Sequence, residues 1–292
     1  MNDSAKISDV KNPTVFTSEA GRRIILAHYR KLLDTFDFEY QERYIATEYG
    51  LTYVLESGNP DFPPLLLFHG SSSNSAVWFA DIGELAQHFH VFAVDIIGDA
   101  GHSDQSRPDP KSDGYSLWIR DLFDGLGIEK ASIIGNSLGG WICIKFAAAF
   151  PERVEKLVMI ASSGITPVRA TFTLKMLYYF FLGDRGRESL IRLFFEKDKV
   201  PPDIIAFSNM IADHFVPMTG KLPAVTDEKL KKLIMPVLYI AGEDDPTVNT
   251  AKSARRLRKT VAHPTVILLK NKGHLIYNVL DKVIPFLQKE KY

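Results

Sequence analysis

A serine flanked by glycines, Gly135-Asn136-Ser137-Leu138-Gly139, sits where one periodicity gives way to another. Ala131-Ser132-Ile133-Ile134 before it reads as a short buried strand, and Leu138 through Phe150 after it reads as a helix stopped by Pro151. A chain that passes from strand to helix within one residue brings backbone atoms close together, so the neighbouring positions must be small. Gly135, Gly139 and Gly140 meet that demand. A serine at such a bend is lifted clear of the sheet, with its hydroxyl facing whatever binds above it. The Leu138 N–H then lies at a helix N-terminus, where unpaired donors and the positive dipole end favour a developing oxyanion.

The rest of the chain supplies the sheet that this bend requires. A helix of about 18–33, capped by Ser18, precedes a hairpin of Tyr44–Thr47 with Leu51–Leu55. Residues 1 to about 15 read as irregular. Leu65–Phe68 reads as a central strand buried on both faces, 75–89 as helix, His90–Asp95 as strand and 115–125 as helix. Beyond the serine come strands at Lys156–Ala161, Pro236–Ala241 and Thr265–Leu269. Helices are expected at Thr250–Arg258 and from about Leu275 to Lys289. Strands alternating with helices imply right-handed crossovers and a doubly wound, mostly parallel sheet, an α/β fold. Residues 164–232 break the rhythm with three helical patterns and no clear strand. The expected organisation is therefore a core of 1–163 and 233–292 carrying a helical cap insertion of 164–232. Its Phe172, Met176, Tyr178, Phe194, Phe207 and Met210 are available either to its own core or to an apolar pocket.

Composition narrows the partners. Lys plus Arg and Asp plus Glu both number 35, and this balance argues against nucleic acid, which would ordinarily leave a basic excess. No apolar run reaches the ~18 residues of a membrane span, and the first residues lack a signal-peptide core. With Cys143 as the one cysteine, a cytoplasmic protein with no membrane partner is expected. No phosphate-binding or dinucleotide loop and no metal-ligand spacing is present, so neither cofactor nor metal is expected.

A serine hydroxyl needs a base to act as a nucleophile at neutral pH. Of the eight histidines, His274 follows the strand ending near Leu269, at the carboxyl edge of the sheet where the serine lies. His102, in a long loop, is its competitor. His88, His90 and His263 fall at the opposite edge, and His28 on the first helix. The imidazole needs a carboxylate to fix its tautomer. Gly242-Glu243-Asp244-Asp245-Pro246 supplies it after another strand, with Asp245 as the choice and Asp244 as the alternative register. A second oxyanion donor is expected from His69-Gly70-Ser71, with the Ser71 N–H as candidate. His69 itself reads as a structural residue bonding nearby backbone. Ser72, Asn136 and His214 are candidate substrate contacts.

Taken together, Leu67-Phe68-His69-Gly70, Asp95 to Ser103, Gly135 to Gly140, Pro151-Glu152-Arg153-Val154, Gly242 to Asp245 and Gly273-His274 make the chain resemble an α/β-hydrolase-fold enzyme over nearly its whole length. The extra N-terminal helix and Asp95-Ile96-Ile97-Gly98-Asp99 are similar to bacterial carboxylesterases of that superfamily. The resemblance implies a cofactor-free serine hydrolase acting on small, largely apolar esters through Ser137, Asp245 and His274. Carbon–carbon hydrolases, acyltransferases and non-catalytic binding members share the same fold. The glycine loop after Asp95 is one residue longer than the usual pattern, which leaves its path open.

Overall fold

The computed structural model describes residues 15–195, 200–218 and 222–289; the irregular segment expected at the start thus lies almost wholly outside the described residues. In chain order the elements are α1 (Glu19–Leu33), β1 (Gln41–Thr47), β2 (Gly50–Ser57), β3 (Pro64–Phe68), α2 (Phe79–Leu85), β4 (His90–Val94), α3 (Gly114–Leu126), β5 (Ala131–Asn136) and α4 (Leu138–Ala149). They continue with β6 (Val154–Ile160), α5 (Ala170–Phe180), α6 (Gly183–Phe194), α7 (Pro202–His214), α8 (Asp227–Leu230), β7 (Val237–Gly242), α9 (Thr250–Thr260), β8 (Pro264–Leu269) and α10 (Leu280–Gln288).

Eight strands form one sheet in the order β1-β2-β4-β3-β5-β6-β7-β8. The β1–β2 and β2–β4 pairs are antiparallel, and every pairing from β4 through β3 to β8 is parallel. The chain starts winding at the β3/β5 boundary and runs outward in both directions. The carboxyl ends of the central strands therefore open onto a common edge, where α/β sheets bind ligands.

Side-chain alternation divides the core between the two faces. Leu66, Phe68, Ile133, Leu157, Met159, Val237 and Tyr239 pack with Trp118, Phe123, Trp141, Phe146 and Leu257 of α3, α4 and α9. Their neighbours Leu65, Leu67, Ile134, Val158, Ile160, Leu238 and Ile240 pack with Tyr29, Leu33, Ile82, Leu85, Val283 and Leu287 of α1, α2 and α10. Strands covered on both faces carry no polar side, which is why they read as uninterrupted apolar runs.

Ser18 caps α1, its side chain accepting from Gly21 N–H at 3.0 Å. The helix expected over 75–89 is a 3-10 turn (Ser75–Trp78) leading into the shorter α2. After Leu85 the bonds from Gln87 to Glu84 and from His88 to Leu85 tighten the chain, turning Phe89 into the core. The final helix begins at Leu280, not at Leu275. Asn278 takes a left-handed φ of 54°, which a right-handed helix cannot contain, while Val279 drops into the core. The four-residue α8 was not foreseen, although Thr226 caps it by accepting from Lys229 N–H. Among the described residues no helix is long and apolar enough to cross a membrane.

Candidate active site

Ser137 occupies the bend between β5 and α4 with φ 50° and ψ −107°, a conformation costing a non-glycine residue on the order of 1–3 kcal/mol. Neighbouring backbone holds it there. Its N–H donates to Ile160 O at 2.9 Å, and its carbonyl accepts from Ser163 N–H at 3.1 Å, pinning the bend to the end of β6. Gly139 N–H reaches His69 O at 3.1 Å, pinning it to the end of β3. A Cβ on Gly139 would fall 2.2 Å from Phe68 O, and one on Gly135 would fall 2.5 Å from the Gly139 carbonyl carbon. Both contacts are with backbone, so the glycines are steric requirements of the bend.

His274 bridges the other two predicted residues. Its Nε2 lies 3.0 Å from Ser137 Oγ and its Nδ1 lies 2.8 Å from Asp245 Oδ2. Asp245 Oδ1 accepts from Thr247 N–H at 2.7 Å and from the Thr247 hydroxyl at 2.6 Å. Because that hydroxyl hydrogen is committed to Asp245, Thr247 Oγ1, 3.2 Å from His274 Nδ1, can meet the ring only as an acceptor. Nδ1 thus faces two acceptors and carries the proton, leaving the Nε2 lone pair directed at Ser137. Burial pushes the Asp245 carboxyl up, but its bond to His274, the His274 charge and the Thr247 donors outweigh this and hold it below the usual carboxylate range. Asp245 is 1% exposed and is the one that meets His274, whereas Asp244 is exposed and its N–H bonds Lys272 O at 3.0 Å.

The loop after β3 lies against the serine: a Cβ on Gly70 would sit 3.6 Å from Ser137 Cβ. His69 Nε2 accepts from Ile96 N–H at 2.9 Å, so its Nδ1 is the donor to Gly70 O at 2.7 Å. Burial lowers its pKa and keeps it neutral, in the structural part expected of it. Ser71 follows on the exposed side of this loop, and Ser72 takes a left-handed φ of 59°. Among the described residues neither the Ser71 N–H nor the Leu138 N–H donates to a protein acceptor.

Asn136 ends β5 beside Gly70, its Nδ2 3.9 Å from where a Gly70 Cβ would stand. His214 closes α7 and packs on α1, with its Cβ 2.9 Å from a Cβ built on Gly21 and its carbonyl accepting from Thr17 N–H. His214 thus meets Gly21 of α1 and Thr17 just ahead of that helix. His102 is held between the rings of Tyr29 and Tyr53, at 5.1 and 4.8 Å, and is not the partner of Ser137. Two neighbours escaped the sequence reading. Thr247 sits two residues past Asp245, at the spacing of an Asx turn, a signal that was available. Phe194, at the end of α6, lies 5.6 Å from the His274 ring, and its carbonyl accepts from Leu275 N–H. No local pattern marks that contact. Among the described residues no group of three or more His, Cys, Asp or Glu side chains could hold a metal ion.

Comparison with known proteins places the fold in a family. The model of the "Alpha/beta hydrolase family" matches residues 65–282. The chain belongs to that family. This hydrolase is 31% identical to carboxylesterase YbfK of Bacillus subtilis over 88% of its own length and 89% of that protein's. The crystal structure of YbfK superposes with a TM-score of 0.76, at 27% identity, covering 92% of this chain and 96% of that one. Naproxen esterase, carboxylesterase NP of Bacillus subtilis, gives a TM-score of 0.76 at 26% identity over 92% and 93% of the two chains.

Proposed function

We propose that this hydrolase is a carboxylesterase that works through an acyl-enzyme on Ser137. The observation carrying the reading is the single imidazole of His274 within hydrogen-bond reach of both the Ser137 hydroxyl and the buried Asp245 carboxylate. Ser137 attacks the ester carbonyl as Nε2 takes its proton, and Asp245 stabilises the imidazolium that forms. The Leu138 and Ser71 N–H groups hold the tetrahedral oxyanion, each worth ~10²–10³ in rate by the usual scale of such donors. His274 then protonates the departing alcohol. Water, activated by the same imidazole, releases the acid and restores the serine. The relatives named carboxylesterase support an ester as substrate.

In this reading α5, α6 and α7 form the cap, and Phe194 presents an aromatic wall beside His274, suited to a small, largely apolar ester. A cytoplasmic location fits Cys143, the sole cysteine, which is buried in α4. The test is Ser137→Ala measured on a p-nitrophenyl ester beside a fluorophosphonate probe. The expected result is a rate loss of several orders of magnitude, together with loss of covalent labelling. Hydrolysis at the parent rate would rule the mechanism out.

A further inference from the structure

Asp99 belongs to neither the Ser–His–Asp array nor the core, yet it is a carboxylate only 5% exposed and it faces the loop beside Ser137. Its Oδ1 accepts from Ser73 N–H at 3.2 Å and from Ala100 N–H at 2.8 Å. Ser73 stands two residues beyond Ser71, on the loop whose Gly70 abuts Ser137. Across the sheet edge, Asn74 Nδ2 donates to Ala100 O at 3.0 Å, closing a second link between the same two loops. The charged and titratable groups facing Asp99 are Arg107 and Tyr115. Arg107 is tied by its Nε to Gly98 O at 2.8 Å and by an Nη to Val216 O, and the Tyr115 hydroxyl is buried without a hydrogen-bond partner. Among the described residues no side chain forms a salt bridge with Asp99, so its carboxylate is answered chiefly by the backbone N–H groups of the loop.

We propose that Asp99 is a positioning residue for the oxyanion loop: it takes the Ser73 N–H onto its carboxylate and so holds the Ser71 N–H toward the oxygen that becomes negative during ester cleavage. This rests on the esterase reading above. The physical case is one of direction. The Ser73 N–H anchored on a buried anion fixes the peptide that follows Ser72, and the left-handed φ of 59° at Ser72 is the bend that lets neighbouring amides diverge between two targets. One target is Asp99, and the other is the space beside Ser137. A donor aimed by a fixed charge stabilises a transition state without reorganising as charge develops. A protein that merely needed its loop closed would not require a buried acid, since burial pushes the Asp99 carboxyl up to about 7 and works against its ionisation.

The test compares parent, Asp99→Asn and Asp99→Glu. Three quantities are measured: kcat and KM on a p-nitrophenyl ester, affinity for a trifluoromethyl ketone that forms an oxyanion adduct on Ser137, and the thermal midpoint. The expected result for Asn is a kcat lowered ~10–100-fold with KM within about twofold, a matching loss of ketone affinity, and a thermal midpoint at pH 8 no lower than the parent's. Glu keeps the charge on a longer arm, and recovery of part of the lost kcat is expected. Parent kcat and ketone affinity in the Asn variant overturn the proposal. So does a loss of kcat accompanied by a fall in thermal midpoint, or the failure of both variants to fold, because each assigns Asp99 to the fold rather than to the loop. Turnover by the parent, absent in Ser137→Ala, reads the esterase assignment separately. Only the parent-to-variant ratios read this one.

Discussion

Replacing Asp245 by asparagine exchanges one carboxylate oxygen for an NH₂ group and should all but abolish turnover, for a reason that lies in the Thr247 contacts. Oδ1 receives two donors, the Thr247 N–H and its hydroxyl, at 2.7 and 2.6 Å. An asparagine must therefore keep its oxygen at that position, since its NH₂ group would face both hydrogens. Its Nδ2 then stands where Oδ2 now lies, 2.8 Å from His274 Nδ1. A donor there compels Nδ1 to accept, which moves the ring proton to Nε2 and turns a donor toward Ser137. The base is present and correctly placed but in the wrong tautomer. The same substitution in the serine protease triad lowers kcat about 10⁴-fold, equivalent to about 5.5 kcal/mol of transition-state stabilisation, and a loss of that order is expected here. The assay is steady-state hydrolysis of p-nitrophenyl acetate, with Asp245→Ala as reference. Alanine leaves Nδ1 free to keep its proton against Thr247 Oγ1 at 3.2 Å, so it should lose no more activity than asparagine despite removing the whole carboxylate. An asparagine variant within tenfold of the parent would refute the tautomer argument.

Other outcomes follow from the same geometry. Ser137→Gly removes the side chain from a left-handed position, and although glycine adds ~0.5–1 kcal/mol of chain entropy on unfolding, relief of strain should leave it inactive yet with a higher thermal midpoint than Ser137→Ala; a lower midpoint would show that the bend is not strained. Asp99, pushed up to about 7 by burial, should make stability fall as pH rises. The folded state keeps a proton that the unfolded chain releases near 3.9, so the contribution is complete below about pH 4 and is lost through pH 7, amounting to as much as ~4 kcal/mol. Calorimetry of Asp99→Asn between pH 5 and 8.5 should find the variant gaining on the parent as pH rises, and a constant difference would contradict this assignment of charge.

The sheet and the bend at Ser137 were legible because each depends on local demands. Leu65–Phe68 and Val237–Ala241 are buried on both faces and so are apolar throughout. Gly135 and Gly139 are fixed by contacts with their own loop and the adjacent strand. Position His274 could be read from its place after a strand, since strand ends share an edge in a parallel sheet. The choice between Asp244 and Asp245 could not be read with the same force. It is decided by His274, which meets Asp245 from a loop nearly thirty residues away. Phe194 was invisible as a neighbour of His274 for the same reason, because its position depends on how α6 meets the loop after β8. The late start of α10 reflects Asn278, whose backbone must swing Val279 inward before a helix can form.

The order of the parts along the chain has a consequence for biosynthesis. Ser137 emerges from the ribosome first, Asp245 more than a hundred residues later, and His274 later still, ahead of α10. Lys156, near the start of β6, donates through Nζ to Leu287 O, tying that strand to α10. A nascent polypeptide could therefore assemble most of its sheet before His274 exists, and under the esterase reading it would stay inert until that residue had emerged.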